Sequence, residues 1–218
     1  AAYGMDTGGK GGNIEQTSKE IERLMGFRPD KYVIVNFDGI AAIVDAIGGV
    51  DYDVPFRMQY SDPSQHLEID LQPGMQHLTG KQTVEFLRWR HNNDYSKQYV
   101  NGDEGRVENQ QKFLKELARQ VLQVKNASKI PKIAEAVSKN VKTDFTTGEL
   151  LWMGKQALQI DNANLKFYTL PGYGAMSYAG SDPYKYSFFF PKEKETLELV
   201  NKYFNPYEEP ITKLDMVT

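Results

Sequence analysis

Four residues of this 218-residue sequence have types and spacing that point to chemistry: Arg88, Arg90, Arg106 and Gln110. Arg88 and Arg90 stand two apart in Phe86-Leu87-Arg88-Trp89-Arg90-His91. On a helix their side chains would diverge by about 200°, whereas an extended segment projects both from one face, ~6–7 Å apart. That separation suits two neighbouring phosphate groups. Arg106 and Gln110 stand four apart, which places them on one face of a helix. If that helix opens at Asp103, Arg106 falls in its first turn, where unpaired amides and the helix dipole favour an anion. Guanidinium is the right group for such a site, because its planar fork grips phosphate oxygens in pairs and keeps its charge. Asp103 has two roles open to it, capping the helix or orienting an arginine. The competing reading leaves the arginines solvated, or paired with Glu104 and Glu108.

The surrounding elements must place these groups. Ile14, Thr17, Ile21 and Leu24 recur at helical spacing after a cap at Asn13, and Gly26 stops the run. Residues 32–37 form a continuous apolar run, the pattern of a strand covered on both faces. Asp38 can cap a helix that runs to Ile47, Gly48 and Gly49 stop it, and Val50, Tyr52 and Val54 alternate as a strand. Strand, helix and strand in succession predict a βαβ unit in a layered α/β fold. Residues 56–60 and 67–71 read as short strands around Asp62-Pro63, and Thr79 opens a helix carrying Val84, Phe86 and Leu87. The strongest helix starts at Asp103, with Val107, Leu114, Leu117, Val121 and Leu122 on one face. Helices over 130–139 and 147–159, a strand over 165–169 and a helix begun by Pro191 complete the chain. No repeat or linker divides it, so residues 1–218 are expected to form one domain.

Composition narrows the function. With 40% hydrophobic and 25% charged residues the chain is of the globular class. Its formal net charge is −3, and it shows no helix-turn-helix with a basic recognition helix; both argue against a nucleic-acid partner. Without cysteine there is no disulfide, no thiolate zinc site and no cysteine nucleophile. No apolar run reaches the ~18 residues of a membrane span, and Ala1-Ala2-Tyr3 opens without a start methionine or leader pattern, as in a piece of a longer protein.

Several other features have ordinary explanations. Asp51 and Asp53 imitate a metal-binding pair, but acids at alternate strand positions face water. The glycines of residues 8–12 surround Lys10 without the ending of a P-loop. His66, His77 and His91 lack ligand spacing, although His91 adjoins the arginine pair and could help bind phosphate. Tyr173, Tyr178, Tyr184 and Tyr186 could form a sugar-stacking surface or simply pack a late loop.

The stretch 86–111, with an Arg-x-Arg pair, a variable loop and then Asp-x-x-Arg-x-x-x-Gln, resembles the LytR–CpsA–Psr family of cell-envelope phosphotransferases. Ala1-Ala2-Tyr3, residues 32–39, Ile47-Gly48-Gly49-Val50, residues 74–80 and Tyr168-Thr169-Leu170-Pro171-Gly172 resemble it too. The resemblance implies a layered α-β-α domain around a central mixed sheet, here incomplete because the chain starts after the family's first strands. It implies a membrane-anchored enzyme on the outer face of a Gram-positive cell. Such an enzyme transfers a glycopolymer, of the teichoic acid or capsular polysaccharide type, from a polyprenyl-pyrophosphate carrier to peptidoglycan. Arg88, Arg90 and Arg106 then correspond to catalytic residues, and with Asp103 and Gln110 to those that bind the pyrophosphate. Mg²⁺ is implied as well, its aspartate ligands lying in the N-terminal part that precedes this chain; the membrane anchor lies there too. Asn109 stands where some members carry another arginine. Two further roles stay open: a carrier-binding module without turnover, and a transcriptional regulator.

Overall fold

The computed structural model describes residues 12–100, 102–161 and 164–216. Ala1-Ala2-Tyr3 and the glycine loop up to residue 11 lie outside the described residues. The chain divides into two units, one of residues 31–167 and one of residues 1–30 with 168–218.

In the first unit, β1 (Val33–Val35) is shorter than the apolar run suggests, because Asn36 already caps α2 (Phe37–Ile47) by accepting from the Gly39 amide at 2.8 Å. The cap is therefore Asn36, not Asp38. β1 pairs antiparallel with β6 (Val141–Thr143), and its residues are exposed rather than covered on both faces. Gly48 and Gly49 turn the chain out of α2 with φ of 88° and 104° into β2 (Val50–Val54). β2 pairs antiparallel with β5 (Gly74–Leu78), so β1, α2 and β2 do not make the expected βαβ unit. The alternation of β2 already pointed elsewhere: one covered and one wet face is the habit of antiparallel strands. β3 (Met58–Asp62) and β4 (Leu67–Leu71) form a hairpin over the 3₁₀ turn Pro63–Gln65, which Asp62 caps by accepting from the Ser64 amide at 3.0 Å.

Among the described residues, four more α-helices belong to this unit. They are α3 (Gly80–Arg88), α4 (Gly102–Val121), α5 (Ile130–Asn140) and α6 (Thr147–Ala157), the last opened by a capping box between Thr146 and Glu149. Val50, Tyr52, Met58, Ile69 and Leu71 from the strands meet Val44, Phe86, Phe113 and Leu117 from the helices in one buried cluster. Phe113, fully buried, sits 5.1 Å from the Tyr52 ring and 5.3 Å from Phe86.

In the second unit, α1 (Gly12–Met25) begins at Gly12 rather than after an Asn13 cap, and Gly26 closes it with φ of 76°. The strand expected over 165–169 is irregular chain; the ladder instead joins β7 (Gly172–Tyr178) to β8 (Lys185–Pro191). Pro171, which has no amide to give, precedes the ladder, while its carbonyl accepts from Lys192 at 2.9 Å. Pro191 ends β8, where a missing amide is tolerated, and α7 (Glu193–Tyr203) starts two residues later than expected. The molecule is thus a mixed α/β protein whose described strands pair as four two-stranded antiparallel sheets.

Candidate functional site

The site begins where α3 ends. Thr79 and Gln82 form the box that opens the helix, and Thr83, Phe86 and Leu87 bury its inner face. Arg88 is the last helical residue; Trp89 follows in extended backbone with φ −63° and ψ 137°. The arginine pair therefore straddles a helix-to-strand switch instead of lying wholly on extended chain. The helix runs further than the spacing argument required, yet both arginines line one cavity. Trp89 makes this possible. It is 1% exposed, with its ring 5.0 Å from Phe56 and 5.1 Å from Tyr99, and so pins the switch point to the core. Buried Asn92 secures the next turn: its Oδ1 accepts from the Gln59 amide at 2.7 Å and from Trp89 Nε1 at 3.2 Å.

α4 supplies the other two groups. It starts at Gly102, whose φ is 55°, one residue earlier than expected. Arg106 therefore stands in the second turn, not among the unpaired amides of the first. It still shares a face with Gln110, and both line the cavity. Gln110 Nε2 donates to the Leu87 carbonyl at 2.9 Å, filling an acceptor that the end of α3 leaves open. Asn109 Nδ2 donates to the Tyr99 hydroxyl at 2.8 Å. Burial pushes Tyr99 above its ordinary value, opposed by that hydrogen bond and by the Arg106 charge. The backbone of Asp103 lies in the first turn of α4, while its side chain and that of Glu104 are outside the described residues. Glu108 pairs with Lys112 at 2.7 Å rather than with the cavity arginines.

The cavity has a volume of about 470 Å³ and gathers Arg88, Arg90, Arg106 and Gln110 with Tyr60, Gln65 and His91. A second cleft of about 180 Å³ shares Arg90, His91 and Arg106. Arg88 Nη2 donates to Gln65 Oε1 at 2.9 Å, and Gln65 Nε2 donates to Asp62 Oδ2 at 2.6 Å. Gln65 thus aims the guanidinium from a turn 23 residues away in sequence. Sequence reasoning missed it; the only local signal was a polar residue in the Asp62-Pro63 turn. His91 Nδ1 lies 2.9 Å from the Asn92 carbonyl, which can only accept, so Nδ1 carries the proton. Its ring stacks on Tyr95 at 4.3 Å. Three guanidiniums and an amide around one opening can bind adjacent phosphate groups and neutralise charge that builds on their oxygens.

Elsewhere, Asp51 and Asp53 face solvent as expected, and Asp51 Oδ1 bonds His77 Nδ1 at 2.7 Å. Tyr173 and Tyr186 share one face of the β7–β8 hairpin, Tyr178 lies on the other, and Tyr184 precedes β8. The four tyrosines therefore do not form a single stacking surface. Among the described residues no group of three or more acidic or histidine side chains converges as a metal site, and no helix is long and apolar enough to cross a membrane.

Residues 2–204 match the model of the LytR_cpsA_psr family. The chain is 32% identical over 194 residues to the polyisoprenyl-teichoic acid–peptidoglycan teichoic acid transferase TagV of Bacillus subtilis, covering 88% of this chain and 46% of that protein. It is 27% identical over 138 residues to biofilm regulatory protein A of Streptococcus mutans, covering 62% of this chain and 32% of the relative. The chain thus spans less than half the length of these curated relatives. The crystal structure of B. subtilis TagV superposes with a TM-score of 0.65 at 30% identity, covering 89% of this chain and 68% of that one. A Streptococcus agalactiae protein, gbs0355, shares the fold with a TM-score of 0.72 at 22% identity, covering 94% and 67%.

Proposed function

This chain belongs to the LytR_cpsA_psr family, and from that premise we propose that it binds the pyrophosphate of a polyprenyl-linked glycopolymer and transfers the glycopolymer to peptidoglycan. The observation that carries this reading is the convergence of Arg88, Arg90, Arg106 and Gln110 on one cavity from two separate helix ends. The similarity to TagV supports the teichoic acid class of cargo and a cell-envelope location in a Gram-positive bacterium.

In the proposed reaction an acceptor hydroxyl attacks the phosphorus that bears the glycopolymer. A new oxygen–phosphorus bond forms as the hydroxyl loses its proton, the bond to the carrier's other phosphate breaks, and polyprenyl phosphate leaves with that proton. Such transfers depend on position and on charge neutralisation more than on covalent help. Arg88 and Arg90 flank Trp89 and engage neighbouring phosphate groups, while Arg106 faces the same opening from α4. Gln110 ties α4 to the end of α3, which keeps Arg106 in register with the pair. The described residues do not supply a ligand cluster for the Mg²⁺ that the family implies.

The test is calorimetric titration of a short-chain polyprenyl pyrophosphate into the parent protein and its Arg88→Ala and Arg106→Ala variants. Each substitution should weaken binding ~10-fold or more, as expected for losing a charge-assisted hydrogen bond. Binding that neither substitution alters would remove the pyrophosphate from this cavity and overturn the assignment.

A further inference from the structure

A second pocket lies at the far end of α2 from the arginines. Phe37, the first residue of α2, lines the arginine cavity, whereas Ile47, Gly48 and Gly49 line the second pocket. The helix has 11 residues, so the two openings are separated by about 16 Å of helix axis. The second pocket has a volume of about 260 Å³ and is completed by Asp51, His77, Gln120, Asn126 and Lys129. That is just under the ~300 Å³ floor for drug-sized ligands and leaves room for a single small ring.

One polar group in the wall of this pocket is left unsatisfied. Asn126 is 3% exposed, and its Nδ2 donates to the Gln120 carbonyl at 2.6 Å. Its Oδ1 is buried and finds no hydrogen-bond partner among the described residues. A buried amide oxygen in that state forfeits the hydrogen bond that water would have given it. Around it the polar groups are already committed in a fixed way. Gln120 Oε1 accepts from the Asp51 amide at 3.0 Å, and Gln120 Nε2 donates to the Asp51 carbonyl at 2.6 Å. Lys129 Nζ donates to the Ile47 carbonyl, which uses one of its three protons. His77 Nε2 lies 2.8 Å from the Gly48 carbonyl and its Nδ1 bonds Asp51, so both ring nitrogens are occupied. The ring lies against Gly49, where any side chain would collide with it.

What remains open to a ligand is the second Asp51 oxygen and the spare protons of Lys129. An anion would meet the Asp51 carboxylate and the carbonyl end of α2. A cation would meet the Lys129 ammonium. A neutral group that both donates and accepts fits both, and vicinal hydroxyls on a small ring are that group. We propose that this pocket is a binding subsite for one neutral sugar ring. The pocket's chemistry stands without the pyrophosphate assignment; only the inference that its sugar belongs to a glycan substrate rests on that reading.

The experiment is a ¹⁵N-NMR titration of the protein with methyl β-glucoside and with N-acetylglucosamine, and separately with inorganic phosphate. Saturable shifts should appear at the Gly48, Gly49, Asp51 and His77 amides with a sugar probe. Lys129→Met, which keeps the side-chain stem, should weaken them about tenfold. Arg88→Ala should leave the sugar shifts unchanged while it weakens pyrophosphate binding. The proposal fails if neither sugar shifts these amides, or if the shifts survive Lys129→Met undiminished. It also fails if phosphate moves the same amides more strongly than sugar, or if Arg88→Ala abolishes the sugar response. A parent protein that binds no pyrophosphate but still shows the sugar shifts would refute the pyrophosphate assignment and leave this one intact.

Discussion

Gly80 is the position where packing and site should fail together. It opens α3, and its amide donates to Asp45 Oδ1 on α2 at 2.8 Å. A Cβ placed there would stand 2.9 Å from the Ala41 carbonyl carbon and 2.7 Å from Asp45 Oδ2, with the Ala41 carbonyl oxygen closer still. Ordinary contact needs ~3.5 Å, so α3 must retreat from α2 by about 0.5–1 Å. Overpacking of this kind costs ~1–3 kcal/mol, and weakening the hydrogen bond to a carboxylate adds ~1.5–3 kcal/mol. Gly80→Ala should therefore lose ~3–5 kcal/mol, a large part of the stability of an ordinary domain. Arg88 stands eight residues along the same helix, so the displacement should reach the arginine cavity and weaken pyrophosphate binding about tenfold. Urea denaturation followed by circular dichroism gives the first number, and calorimetry on the folded variant gives the second. Gly74→Ala is the control. A Cβ there meets nothing within 4 Å, but φ is 98°, so it should cost ~1–2 kcal/mol of conformational strain and leave binding unchanged. A Gly80→Ala variant within ~0.5 kcal/mol of the parent would refute the packing argument. One that is destabilised yet binds normally would show that α3 does not position the arginines.

Three further outcomes are expected. Asn92→Ala strands the Gln59 amide and Trp89 Nε1, and should lower stability by ~2–4 kcal/mol in the same urea assay. Burial pushes Tyr52 from its ordinary 10.0 up to about 12, so the fold favours the neutral phenol. That contribution is complete below pH 10 and is lost as pH rises toward 12; Tyr52→Phe should flatten this alkaline limb in denaturation midpoints measured against pH. Burial also pushes the Glu85 carboxyl up, with Lys81 at 3.7 Å only partly opposing it. Its favourable protonated form is present below the unfolded value of 4.5 and is lost as pH rises through the folded one. Glu85→Gln should accordingly raise the melting temperature at neutral pH and make little difference in acid.

The sequence was most legible where one residue type does one local job. Thr79 opening a helix, Gly48 and Gly49 ending one, and the alternation of Val50, Tyr52 and Val54 need no distant partner to be read. The arginines were found the same way, since types and spacing marked them before their neighbours were known. What the pattern could not carry was pairing. A run such as Val33–Val35 does not say whether its faces will be covered, and β2 does not say that β5 will lie beside it. Proline misled at residue 191, because an absent amide suits a strand end as well as a helix start. Gln65 was invisible for a related reason: its meaning lies in Arg88, 23 residues away, and nothing local records that distance.

Trp89 and Asn92 fasten the chain on the near side of the α3–α4 connection, and Gln110 fastens α4 to the last turn of α3. The segment from Asn93 to Val100 spans those anchors and carries mostly exposed residues, Tyr99 being buried. Length added near residues 94–97 should keep the spacing of the guanidiniums, which Gln65, Trp89 and Gln110 hold from outside that tip, while it loosens the contacts the tip makes with Asn92 (Ser96 Oγ at 3.1 Å, the Lys97 carbonyl at 2.9 Å) and with His91. Such a scaffold separates two properties that are often bound together. The spacing of the cationic groups stays constant, while the reach of the rim around them is free to vary.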